Sequence, residues 1–192
     1  MELRLSKRIL FGILVYIYFL IGYSVVSSLH VISNSRLITA IDNMIPLIPF
    51  FVIFYLLGYI MPVIPVFMIK DKKKFYRVIK SYLLILTLSF LIFLIYPMNI
   101  DRNPIINDNL FSKILGNVHF IDTDFNTFPS LHVSLSLFSY LIIINIKQNL
   151  KKYLLPILIL IVISTLFVKQ HLFIDVIGGL IIGYLAYLFY KK

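Results

Sequence analysis

Two short stretches, FPSLH (128–132) and HLFID (171–175), hold the residue types in this chain that could do chemistry. His171 and Asp175 stand four apart, so on a helix the carboxylate lies one turn from the imidazole on the same face. A carboxylate that fixes one ring nitrogen leaves the other as a free lone pair, which makes the imidazole a better nucleophile or base. A second imidazole, His132, could then serve as general acid. An anionic electrophile between them needs cations and hydrogen-bond donors, and Arg102, Ser130 and Lys169 are the available ones. The sharp reading of that set is phosphoryl transfer.

Plainer readings use the same residues. His132 alone fits a buried histidine bonded to a carbonyl, and His171 with Asp175 fits a structural hydrogen bond between helices. Pro129 suits a first helical turn and Ser130 a helix cap, although the amide groups of that terminus also suit an anion. No metal is expected, because two histidines and a carboxylate lack a fourth ligand at a recognisable spacing, and no cofactor is implied. His30, His119, Asp122 and Asp124 fall in loops, where a solvated face is the default expectation.

These residues must be positioned by membrane helices. Of 192 residues, 60% are hydrophobic and 14% charged, and the mean hydropathy of +0.97 is far above that of soluble chains. Apolar stretches cover residues 9–29, 44–69, 81–97, 129–146, 153–168 and 172–190. Each is about long enough to cross a bilayer core. The expected fold is all-α, a six-transmembrane-helix bundle formed by a single domain, residues 1–192. The first stretch is read as a retained helix, since no cleavage pattern follows it.

All but four of the eighteen Lys and Arg residues fall on one side of these spans; Arg36, Arg102, Lys113 and Lys169 fall on the other. The positive-inside rule then makes both termini cytoplasmic and turns the segments around 30–43, 98–128 and 169–171 outward. The charge of +10 reads as orientation and contact with anionic lipid heads, not nucleic-acid binding, because no basic stripe is interleaved with stacking aromatics. His132, His171 and Asp175 thereby come to one depth near the outer surface. In the outward loop 96–129, ILGNVHF suggests a short interfacial element. Residues 168–172 form a tight hairpin, and Gly178, Gly179 and Gly183 invite a neighbouring helix to approach closely.

FPSLH followed by STLFVKQHLFIDVIGG (164–179) resembles the second and third motifs of the type 2 phosphatidic acid phosphatase superfamily, P-S-G-H and S-R-x5-H-x3-D. The resemblance implies that His171 becomes a phosphohistidine, Asp175 orients it, His132 protonates the leaving oxygen and Ser130 binds phosphate with nearby amides. The family's first motif, K-x6-R-P, is not matched: Lys70 and Arg77 have its spacing but fall on the cytoplasmic side. Arg102 is on the correct side, with Ile95 in place of the lysine and Asn103 before Pro104. Leu131 stands for the motif glycine and Thr165 for the motif arginine, departures similar to those of the inositol phosphorylceramide synthase branch. Lys169 is the cation that could replace one of those missing, or a snorkelling lysine.

The resemblance implies a metal-independent phosphatase acting on a lipid phosphate, of phosphatidate or polyprenyl diphosphate type, in the outer leaflet of a bacterial plasma membrane. Its alternatives are a lipid head-group phosphotransferase and a non-catalytic lipid-phosphate-binding protein. Lipid phosphate and membrane lipids are the implied partners.

Overall fold

In hydrocarbon every backbone N–H and C=O must be satisfied within the chain, so apolar runs of this length are driven into helices. The computed structural model describes residues 1–29, 38–102, 104–105, 109–122 and 124–192. His30, Arg36 and Asn103 lie outside the described residues. Those described are all-helical, with isolated bridges in place of strands. The helices are α1 (Leu5–Ser28), α2 (Ala40–Met44), α3 (Val52–Ile60), α4 (Ile64–Met68), α5 (Lys72–Ile95), α6 (Leu110–Ile121), α7 (Leu131–Ile146), α8 (Lys151–Phe167) and α9 (Phe173–Lys191).

Among the described residues, five helical segments are long and apolar enough to cross a membrane: Leu5–Ser28, Pro49–Met68, Lys72–Ile95, Gln148–Phe167 and Phe173–Lys191. Of the six expected spans, the one at α7 falls short of this length. It has 16 residues and is about 24 Å long against a hydrocarbon core of about 30 Å. Ser130 starts it late, holding an extended backbone while its side chain accepts from the Val133 N–H. The third span begins earlier than expected, because Asp71 caps the Lys74 N–H, so most of the basic loop forms the first turns of α5. Within Pro49–Met68, a 3-10 turn at Met61–Val63 joins α3 to α4, since Pro62 and Pro65 supply no N–H.

The inside of the bundle is more polar than its outside. Ser81, Ser89, Ser134, Ser136, Ser139 and Ser164 are buried, whereas Leu10, Leu155, Ile181 and Leu185 are exposed. That inversion suits helices packed by small residues and solvated by lipid tails. Phe75, Phe93, Phe138, Ile85 and Ile142 fill the main core. At the basic end, the Leu3 N–H donates to Lys70 O and Arg8 bonds the carbonyls of Val66, Phe67 and Ile69. The loop between α5 and α7 contains α6 where ILGNVHF suggested a short element, capped by Asn109.

Candidate active site

The α8–α9 hairpin presents the first histidine. Lys169 takes a left-handed backbone with φ of 54°, which folds the chain back so that the N–H groups of Gln170 and His171 both donate to Thr165 O. Asp175 caps α9, its Oδ2 accepting the Leu172 N–H at 2.8 Å. His171 Nδ1 lies 3.0 Å from Thr127 O and 3.5 Å from Asp175 Oδ2. A carbonyl only accepts, so Nδ1 carries the proton of the neutral ring and Nε2 keeps the lone pair. Two oxygens thus flank Nδ1, the expected carboxylate and, nearer, a backbone carbonyl. Asp175 Oδ1 is buried without a hydrogen-bond partner.

The second stretch is fastened to the first. The Ser130 N–H donates to Asp175 O at 3.0 Å, and glycine lets α9 lie against α7. A Cβ on Gly179 would stand 2.7 Å from Ser130 O, and one on Gly183 2.6 Å from Ser134 O. Pro129 precedes the cap rather than occupying the first helical turn. His132 lies in an aromatic cage, stacked on Tyr55 at 4.0 Å and edge-on to Tyr59 at 4.3 Å between ring centroids.

A polar cavity of about 230 Å³ is lined by His171, Lys169, Asp42, Asn43 and Asp101. Lys169 Nζ donates to Asp42 O at 3.0 Å; desolvation lowers its pKa, and the charge of Asp42 opposes that shift. Asp42 itself accepts the Phe173 N–H at 2.7 Å and closes a capping box with Thr39. His132 borders a different, apolar cavity. The structure therefore gathers His171, Asp175, Ser130 and Lys169, and His132 lies near enough to His171 for their charges to interact.

Arg102 sits behind the hairpin. Its guanidinium donates to the carbonyls of His119 and Asp122, to Gln170 Oε1 and to Asp124. His119 and Asp122 are not the solvated loop residues expected. His119 Nε2 donates to Val168 O at 2.9 Å, and burial lowers its pKa. Asp122 accepts from the hydroxyls of Tyr23 and Tyr55. Asp124 is more than half exposed.

A helix-capping Ser130 two residues before one histidine, and a hairpin carrying His171 and Asp175, are thus held together by backbone bonds. A family model described as the PAP2 superfamily matches residues 27–189. The chain belongs to the PAP2 superfamily. No curated protein and no solved structure matches it. In this PAP2 protein the hydroxyls of Ser164 and Thr165 bond carbonyls of their own helix, Ile161 O and Val162 O. Leu131 joins the main core.

Sequence reasoning missed three contributors in this PAP2 protein. Asp42 had a signal, since Thr39-x-x-Asp42 has the form of a capping box. Thr127 acts through its carbonyl, which no residue type announces. Tyr55 and Tyr59 are four apart on α3, one turn on one face, but nothing in the sequence pairs them with His132.

Proposed function

We propose that this protein is a lipid-phosphate phosphatase whose nucleophile is His171 Nε2. The observation that carries the reading is the bond of His171 Nδ1 to Thr127 O beside Asp175, which leaves Nε2 its lone pair on a ring that borders a polar cavity with Lys169. Nε2 attacks phosphorus, an Nε2–P bond forms and the P–O bond to the lipid breaks. The departing oxygen takes its proton from His132, protonated for that step. Water then attacks phosphorus and gives a proton back to His132, the P–N bond breaks and inorganic phosphate leaves. Asp175 stabilises the charged ring, while Lys169, Ser130 and the Arg102-braced hairpin hold the phosphate.

In this reading α7 is a sixth, short crossing and both termini are cytoplasmic. Support comes from the basic end, where Arg77 bonds Lys192 O and Leu3 bonds Lys70 O. The site then faces the outer side of a bacterial plasma membrane, and no metal takes part. A second reading is transfer to a lipid hydroxyl instead of water, favoured by Leu131 and Thr165 at the two motif departures.

Purified protein given a lipid labelled in its phosphate tests both. Hydrolysis releases inorganic phosphate, transfer yields a new labelled lipid, and acid-labile phosphoprotein accumulates briefly in either case. His171→Ala loses the phosphoprotein and the turnover. Release that survives His171→Ala refutes the proposal.

A further inference from the structure

Tyr55, Gly58 and Tyr59 stand at spacings of three and four on α3, so they share one face. That face is the seat of His132. Tyr55 lies flat against the imidazole, with 16° between the ring planes, and Tyr59 meets it edge-on at 82°. Gly58 makes room for the ring, because a Cβ there would stand 2.5 Å from His132 Cδ2. The seat is dry: Tyr55 is fully buried and His132 is 9% exposed.

Tyr55 donates its hydroxyl proton to Asp122 Oδ2 at 3.0 Å, so in the bond between the two tyrosine hydroxyls Tyr55 accepts from Tyr59. Neither hydroxyl is given to the histidine. His132 Nε2 is buried without a hydrogen-bond partner, whereas a histidine kept for packing is expected to be satisfied at its ring nitrogens. Asp122, in turn, is held at every polar atom. Its N–H donates to Val118 O, its carbonyl accepts from Arg102, Oδ1 accepts from Tyr23 at 2.9 Å and Oδ2 from Tyr55. The carboxylate is therefore fixed behind the Tyr55 ring.

The titratable groups facing His132 are Tyr55 and Tyr59 on α3, His171 on the hairpin and Asp122 after α6, with Tyr16 of α1 and Tyr82 of α5 on the same apolar cavity. Asp122 is the acidic group among these. Burial away from water opposes a charged imidazole, but an aromatic face attracts a cation, and a phenol donating to a carboxylate is polarised towards greater electron density on its ring. We propose that Asp122 and Tyr55 are positioning residues for proton donation by His132, the carboxylate acting through the Tyr55 hydroxyl to stabilise the imidazolium against the ring face. The proton passes from His132 to the ester oxygen as the P–O bond breaks, leaving a neutral ring and an alcohol. That His132 is the acid rests on the phosphatase reading.

The test gives the full chain, in mixed micelles, two substrates with the same tail: decyl phosphate and a decyl-substituted nitrophenyl phosphate. An alkoxide leaves only with a proton and a nitrophenolate leaves without one, so a weakened acid slows the first ester alone. Release of each alcohol is followed, and kcat/KM is compared because it reports formation of the phosphoenzyme. Tyr55→Phe keeps the ring and removes the hydroxyl; Asp122→Asn keeps an acceptor and removes the charge. Each is expected to lower kcat/KM for the alkyl ester about tenfold or more and for the aryl ester less than about twofold, with a larger split in His132→Gln. Thermal unfolding identifies a variant that does not fold, and the other then decides.

Equal losses on both esters in a folded variant, or no loss on either, make Asp122 and Tyr55 a lock between helices and overturn the proposal. A split in His132→Gln alone does the same and leaves the acid standing. No split even in His132→Gln removes the acid and the proposal with it. A parent protein that releases neither alcohol sinks the phosphatase reading itself.

Discussion

Replacing Gly179 with alanine separates α9 from α7 at the place where the site is fastened. The new Cβ would lie 2.7 Å from Ser130 O and 2.9 Å from Val133 Cβ, when ordinary contact begins near 3.4 Å. The helices must part by about 0.7 Å, and the nearest obstacle is a backbone oxygen that cannot rotate aside. Overpacking of this kind costs about 3 kcal/mol at the upper end of its usual range, and alanine returns about 1 kcal/mol of helix propensity. The expected net loss is about 2 kcal/mol. Gly116, in α6, has no atom within 4 Å of its Cβ position, so Gly116→Ala gains up to about 1 kcal/mol. Equilibrium unfolding of both variants in mixed micelles checks the difference of about 3 kcal/mol. The Ser130–Asp175 and Thr127–His171 bonds cross this same interface, so phosphate release by folded Gly179→Ala should fall roughly ten- to a hundredfold. If the two variants prove equally stable, the close approach of α9 to α7 is not what holds the site together.

Three further outcomes are expected. Asp175→Asn keeps an acceptor for the Leu172 N–H but loses the charge beside His171, so kcat should drop about ten- to a hundredfold with little change in KM; initial-rate kinetics decide it. Arg102→Ala strips donors from two carbonyls, Gln170 and Asp124, and should destabilise the outer loop by at least about 3 kcal/mol, read as faster amide exchange at residues 119–122. Burial lowers the pKa of His119 from the ordinary 6.5, so in the window below 6.5 the unfolded ring binds a proton that the folded ring refuses. Its stabilising contribution is complete above that value and is lost as pH falls through it towards the folded pKa. Unfolding midpoints taken from about pH 7.5 to about pH 5.5 should decline, and His119→Gln should flatten that decline.

The helical class was legible because lipid-facing hydrocarbon must run the length of each helix, and so were the hairpin and the glycine face of α9. The length of α7 was not, because Phe128 and Pro129 lead into the hydropathy run while the helix starts only after Ser130, which forms the cap. The same blindness affected Lys72–Lys80, where basic side chains hide a helix that Asp71 starts. At the site, His171 with Asp175 could be read from spacing, since both stand on one short segment. The orientation of His132 could not, because it depends on Tyr55 and Tyr59 arriving from α3, a contact between parts of the chain more than seventy residues apart. Arg102 was selected for its charge, and two of its contacts are with the backbone oxygens of His119 and Asp122, which carry no sequence signature.

The two cavities share no lining residue. For the lipid-phosphate phosphatase proposed above, this would amount to two doors. The ion would depart through the polar vestibule while the alcohol slid sideways among the lipid tails, so that neither product would queue behind the other.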